Sequence, residues 1–285
     1  NAVKTKIDIE KDLAPYRTIY DAVELADIGV IDDFLKGVND VKEVAVELKK
    51  LADKGLDKGA FKAIVGDLKG LTETEEIKKK ITHLVNLYDK AGTKKDDLDT
   101  LMKGIATGNR TEVSDSLAAL SDNGVGDSSI VKLITENKNE TDAANVIAKA
   151  NACQSAYNSI KSTGTEADQD KEAIDNLLKN VKDDEFSAAV TKVKEFTDLG
   201  AKGPALRAML KQVEGLGGGK AATEIENALA PYKGLYEKTK NKDVIDHING
   251  YLSEVDSTKI EECVKYITSI PANGDAFDKI IKSLK

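Results

Sequence analysis

The chain has 285 residues, of which 40% are hydrophobic and 32% are charged, and this composition is typical of globular proteins. The net charge of -8 and the pI near 5.1 argue against a nucleic-acid partner, because binding to phosphates needs clustered Lys and Arg. The sequence contains no run of about 18 apolar residues, so no membrane-spanning helix is predicted.

An octapeptide near the start of the chain returns near its end. Residues 13–20 and 229–236 are identical at five of eight positions, and they are 229 − 13 = 216 positions apart. This distance equals three periods of 72 residues, which predicts two further copies between them. Fixed periods of this kind predict a repeat architecture.

Apolar residues spaced as on one face of a helix recur at matching places along the chain. The first such stripe occurs in four copies: Ile31, Phe34, Leu35 and Val38; Leu98, Leu101, Met102 and Ile105; Ile174, Leu177, Leu178 and Val181; and Ile245, Ile248 and Leu252, where Asn249 interrupts it. A second stripe ends at Leu51, Leu120, Phe196 and Ile267, and a third begins ten residues later in every copy. A turn-forming residue follows each second stripe at the same position: Gly55, Gly124, Gly200 and Pro271.

These patterns predict an all-α protein of four degenerate repeats. Their predicted bounds are 1–71, 77–137, 143–216 and 224–285. In each repeat, a first helix ending at Tyr20, Tyr88, Tyr157 or Tyr236 precedes three short amphipathic helices. Capping boxes are expected at Asp40 with Glu43 and at Thr258 with Glu261. The repeats form either a solenoid-like array or a compact multi-helix bundle.

Motifs for catalysis, metals and cofactors are missing from the sequence. The Gly-rich segment 215–220 departs from a phosphate loop, because Lys220 is followed by Ala221, and it is interpreted as a linker. His83 and His247 lack a second ligand at helical spacing, so no metal site is predicted. We therefore expect no enzymatic activity and no cofactor.

Cys153 and Cys263 are the two cysteines of the chain, and both lie on apolar helix faces. Two interpretations stay open: they are small buried hydrophobic residues, or they form a disulfide that links the third and fourth repeats. Asn109 and Asn139 each begin an N-glycosylation sequon, which matters only in a secreted protein. The tyrosines that end the first helices are interpreted as core aromatic residues with solvated hydroxyl groups.

Helical repeats rich in Lys and Asp, together with the segments 13–16 and 229–232, resemble the GPI-anchored merozoite surface adhesins of Babesia parasites. The resemblance implies an extracellular cell-surface protein that binds a protein or glycan on host erythrocytes and is recognised by host antibodies. It also implies a lipid anchor outside this chain as the link to the membrane. The chain starts with Asn1, as a processed product does.

Two other functions remain open from the sequence. A helical bundle that encloses an apolar cavity would carry a lipid or another small apolar ligand. An intracellular array of helical repeats would instead act as a scaffold for peptides.

Overall fold

The computed structural model describes residues 6–160, 162–215 and 218–284, and these residues form an all-α fold, as predicted. The described part of the chain has no strand, and its one isolated β-bridge joins Val181 to Lys220. The sixteen described α-helices are α1 Lys6–Asp21, α2 Ile28–Gly37, α3 Val41–Ala52, α4 Lys58–Leu68, α5 Thr74–Ala91, α6 Lys95–Gly104, α7 Arg110–Asp122, α8 Asp127–Asn137, α9 Ala143–Asn158, α10 Thr165–Leu178, α11 Phe186–Asp198, α12 Gly203–Glu214, α13 Ala222–Tyr236, α14 Lys242–Ser253, α15 Ile260–Thr268 and α16 Gly274–Ser283.

Short polar side chains define some of the helix starts. Asp40 precedes α3, and its Oδ1 accepts a hydrogen bond from the backbone N–H of Glu43 at 2.9 Å, which confirms the Asp40 half of the predicted capping box. The Glu43 carboxylate instead accepts from Lys78 at 3.2 Å. The expected box at Thr258 is wrong, because the Thr258 hydroxyl and N–H donate to Asp256 and α15 begins at Ile260. Asp256 thus forms a local side-chain turn with Thr258 in place of the expected helix cap.

The turns after the second stripes are placed as the sequence predicts. Gly55, Gly124 and Gly200 have positive φ values of 67, 75 and 99°, a conformation that favours glycine. At Gly200 a β-carbon would also lie 2.8 Å from Cγ2 of Ile245, so α14 packs directly against this turn.

The described chain divides into two compact units. The first extends to Ala119 and includes Asn137–Ala148, and the second comprises Leu120–Glu136 and the chain from Lys149 onward. The helices α7, α8 and α9 contribute residues to both units.

In both units, the helices α1–α6 and α10–α16 pack mainly against the helix two positions along the chain. In the first unit, α1, α3 and α5 form one row and α2, α4 and α6 form another. In the second unit, the rows are α11, α13 and α15, and α10, α12, α14 and α16. A helix inside a row is therefore covered on two sides by its neighbours in that row.

The predicted stripes form the core. In the first three copies of the first stripe, every residue is buried. In the fourth copy the register differs, because Ile248 and Leu252 are buried whereas Ile245 is half-buried. The matching stripe is Ile248, Tyr251, Leu252 and Val255, and Asn249 follows its first residue as Asp32 follows Ile31.

The fourfold division of the chain stays a prediction, and each predicted repeat spans four of the helices. Part of the predicted linker at 215–220 lies outside the described residues, namely Leu216 and Gly217. Lys220 is firmly held, because its backbone pairs with Asn180 and Lys182 and its ammonium group donates to the carbonyl of Glu214.

Candidate functional site

The four tyrosines that end the first helices make the same hydrogen bond, and their hydroxyl groups donate to protein groups. Each phenol donates to a carboxylate or amide oxygen on the following helix of its repeat. The pairs, which we call the tyrosine joints, are Tyr20 with Asp32 at 2.5 Å, Tyr88 with Asp99 at 2.9 Å, Tyr157 with Asp175 at 2.5 Å and Tyr236 with Asn249 at 2.7 Å. The joints connect the first two helices of each predicted repeat.

Three of these acceptors also bind the preceding repeat, at the backbone N–H just before its fourth helix. The contacts are Asp57 to Asp99 at 3.0 Å, Gly126 to Asp175, and Lys202 to Asn249 at 3.2 Å. At Gly126 a β-carbon would clash with the Asp175 carboxylate. Among the described residues, no backbone N–H donates to Asp32, which holds the same place in the first repeat.

Burial controls the protonation of the joints. It raises the pKa of the Asp99 and Asp175 carboxyl groups above the usual range. Burial also raises the pKa of Tyr88, Tyr157 and Tyr236, so these phenols stay protonated and remain donors at neutral pH. Because these donors and acceptors bind one another inside the fold, the joints act as structural connections between helices.

Two buried ion pairs connect helices. The first joins α7 to α4, and the second joins α12 to α10, its neighbour in the same row. Arg110 contacts Asp67 at 2.7 Å, with the Asp67 side chain fully buried. Arg207 contacts Asp170 at 2.6 Å, and Asp170 also accepts the N–H of Gly203 at 2.8 Å. Removal of one partner leaves an uncompensated buried charge, which costs about 3–5 kcal/mol in other proteins.

Ion pairs at or near the surface join residues 34 to 36 positions apart. Most of them connect a helix with the second helix after it in the chain. They are Lys62 with Asp27, Lys69 with Asp33, Lys54 with Asp89, Lys78 with Glu43, Lys80 with Asp115 and Lys192 with Glu226. Each exposed pair contributes only about 0–1 kcal/mol, so the series marks the register of the rows more than their stability.

The candidate binding site is a groove formed by α12, α13 and α15, with a volume of about 460 Å³. Tyr232 is one of its lining residues, and burial together with the charge of Glu261 raises the pKa of this phenol to about 12. The groove residues, which we call the Tyr232 groove, are Gln212, Val213, Glu224, Asn227, Ala228, Tyr232 and Glu261.

Polar groups dominate the Tyr232 groove. Glu224 accepts the N–H of Ala221 at 2.6 Å, and Glu261 contacts Lys265 at 2.5 Å. Pro231 has no N–H, so the carbonyl of Asn227 four residues earlier lacks its helical donor. Two carboxylates and a backbone carbonyl beside a protonated phenol make a surface that suits a cationic group.

The structure leaves both cysteines as free thiols, so it gives the disulfide interpretation no support. Cys153 is buried in α9, and burial raises the pKa of its thiol to about 12. Cys263 is half-buried in α15, a helix that packs against α12 and α13.

The two sequons differ in accessibility. Asn139 and Thr141 are both exposed in the connection between α8 and α9. Asn109 is half-buried, and Thr111 of the same sequon is buried in the first turn of α7.

The histidines take part in ordinary polar contacts. His83 contacts Asp115 at 2.7 Å, and Nε2 of His247 lies 3.2 Å from the carbonyl oxygen of Leu284. In the described part of the chain, no cluster of three or more His, Cys, Asp or Glu side chains has the arrangement of a metal site.

Sequence reasoning missed the acceptors of the tyrosine joints. The available signal was a polar residue directly after the first residue of each first stripe: Asp32, Asp99, Asp175 and Asn249. It also missed the Tyr232 groove, which depends on how three helices meet.

No family model, curated protein or solved structure matches this chain. None of the helices in the described residues has the length and apolar character needed to cross a membrane.

Proposed function

We propose that the protein is a non-enzymatic binding protein that attaches to a host cell through the Tyr232 groove. The resemblance to merozoite surface adhesins suggests erythrocytes as the target, with host antibodies recognising the same protein at the parasite surface. The observation that carries the proposal is the groove, which combines Glu224 and Glu261 with a buried phenol on adjoining helices.

The chemistry of the groove favours a basic side chain of a host surface protein as the bound group. A Lys or Arg of the partner would lie between the two carboxylates, where charge-assisted hydrogen bonds hold it. Such a contact is small, so neighbouring helix surfaces must supply further area for a stable complex.

The groove favours this function over a lipid carrier. Val213 and Ala228 are the aliphatic residues among those that line it, and the other positions are polar or aromatic. An acyl chain needs a predominantly apolar cavity, which this groove does not provide.

Binding of the fluorescently labelled chain to intact erythrocytes tests the proposal, with nucleated cells and heat-unfolded protein as baselines. We expect saturable binding to erythrocytes. The double variant Glu224→Gln with Glu261→Gln should weaken it by about tenfold or more, because both charges that attract the basic group are lost.

A matched double variant, Glu112→Gln with Glu237→Gln, removes two exposed carboxylates elsewhere and should bind like the original chain. Absence of saturable binding to erythrocytes would overturn the adhesin proposal. Equal weakening by the two double variants would show that net charge, rather than the Tyr232 groove, governs attachment.

A further inference from the structure

The outer face of α1 repeats a face that is covered in α13. Residues 216 positions apart correspond, so Ile9 matches Ile225 and Leu13 matches Leu229. Ile225 and Leu229 are fully buried, whereas Ile9 is 48% exposed and Leu13 is 55% exposed. The same side chains therefore lie in a packed interface in one helix and in solvent in the other.

The packing of α11 on α13 shows what such a face binds. Lys233 contacts Glu195 at 2.8 Å, and Glu226 contacts Lys192 at 2.9 Å. Between these pairs, the ring of Phe196 meets the rings of Tyr232 and Tyr236 with centroid distances of 6.4 and 5.9 Å. Phe196 is fully buried by these contacts.

The corresponding residues of the first repeat make up what we call the leading face: Glu10, Leu13 and Arg17 of α1 and Asp32 of α2. Glu10 and Arg17 match Glu226 and Lys233 in charge. Asp32 holds the place of Asp99 and Asn249. Each of those two residues accepts the backbone N–H of the residue just before the fourth helix of the preceding predicted repeat. The leading face thus carries the parts of an internal junction.

The last helices carry the opposite half of such a junction. By the spacing of the second stripe, α15 corresponds to α11, with Tyr266 at the place of Glu195 and Cys263 at the place of Lys192. Tyr266 is 77% exposed. Asn273 precedes α16 as Lys202 precedes α12, and its N–H donates to no acceptor among the described residues. These three residues form the trailing face.

From this correspondence we infer that copies of the chain associate head to tail, with the trailing face of one copy packed on the leading face of the next. The occupant of the leading face is a second copy of this chain. The internal junction between α11 and α13 serves as its template, because the leading face keeps the α13 residues of that junction and α15 holds the place of α11, with the exposed ring of Tyr266 where Glu195 meets Lys233.

The contacts of the junction follow from the template. Leu13 becomes buried as Leu229 is, and the guanidinium group of Arg17 stacks on the ring of Tyr266 in place of the Lys233 ion pair. The N–H of Asn273 donates to Asp32. Glu10 gains no counterpart of Lys192, since Cys263 stands there, so the junction is weaker than the internal one.

The two faces differ, so the contact is heterologous. Each added copy leaves its own leading or trailing face unoccupied and able to bind a further copy. The protein should therefore form dimers and larger assemblies whose size rises with concentration. Analytical ultracentrifugation of the whole chain measures this directly.

Two single variants test the polarity of the contact. Leu13→Asp blocks the leading face, and Tyr266→Asp blocks the trailing face; each alone should weaken self-association by about tenfold or more. An equimolar mixture should form a dimer and nothing larger, because the intact trailing face of one variant binds the intact leading face of the other. Val46→Asp, at a 38% exposed position of α3, is the matched control and should assemble like the original chain.

Circular dichroism first establishes that each variant is folded. A chain that stays monomeric at all concentrations would overturn the inference. It would also be overturned if Leu13→Asp abolished assembly while Tyr266→Asp left it unchanged, since that result indicates a symmetric contact between two α1 helices.

Discussion

The helices α1 and α13 share an octapeptide but have different surroundings. In α13, Leu229 and Tyr232 are buried, since α11 and α15 pack on its two sides. In α1, Leu13 is largely exposed and Tyr16 is half-buried, since α3 packs on one side. The comparison teaches that burial in a helical repeat depends on the neighbours that the chain places beside it, even where the local sequence is the same.

The largest expected difference concerns the two leucines. Leu229→Ala should lower the free energy of unfolding by about 2–5 kcal/mol, because it opens a cavity in a fully packed interface. Leu13→Ala should change it by less than about 0.5 kcal/mol, since this side chain already contacts solvent. Urea unfolding at low protein concentration measures both, and equal losses would contradict the difference in burial.

The second prediction concerns the amide of the last tyrosine joint. Nδ2 of Asn249 donates to the carbonyl of Gly200 at 2.9 Å, in a site where Asn249 is 6% exposed. Asn249→Asp removes this donor and buries a charge, so it should cost about 1–3 kcal/mol at pH 7.

The pH dependence of that cost has a definite sign. Burial should raise the pKa of the new carboxyl group above its unfolded value, as it does for Asp175. Such a group favours the folded state most below its unfolded pKa and loses that contribution as pH rises through the folded pKa. The cost should therefore be smaller at pH 4 than at pH 7. Unfolding curves at both pH values check this, and an equal cost would show that the carboxyl group remains solvated.

A smaller difference is expected between two tyrosine joints. Tyr236→Phe should cost about 0.5–1.5 kcal/mol, because it removes a buried hydrogen bond to Asn249. Tyr20→Phe should cost less, since Tyr20 is only half-buried and its acceptor Asp32 can turn to water. Thermal unfolding of both variants is the measurement. A greater loss for Tyr20→Phe would mean that the first joint is as enclosed as the last.

The mildest test compares the two thiols and needs no substitution. Cys263 should react with a maleimide in the folded protein, because it is half-buried in α15. Cys153 should react only after unfolding, since it is buried and its thiol pKa is raised to about 12. Mass spectrometry counts the labels, and a folded chain that takes up none without reduction would indicate a disulfide.

Much of the fold was predictable because its information is local. Apolar stripes at helical spacing identified the buried faces, and the glycines at 55, 124 and 200 identified turns that need positive φ. The register of the fourth copy was misassigned because Asn249 is polar, although in the fold it performs the role of the acidic residues at 32, 99 and 175.

The candidate site was less predictable because it depends on contacts between distant segments. Gln212, Glu224 and Glu261 are ordinary polar residues in the sequence, and only the packing of three helices brings them around one phenol. The exposure of Tyr266 was equally hidden, since its stripe alone predicts a covered helix.

The short reach of the interhelical contacts has a consequence for how the chain folds. The exposed ion pairs of neighbouring helices span 34 to 36 residues, and Tyr88 reaches its acceptor after only 11. Proteins dominated by contacts of low sequence separation fold fast, because little loop entropy must be lost before native contacts form. During synthesis, each helix therefore finds its partners soon after it leaves the ribosome, without waiting for the end of the chain.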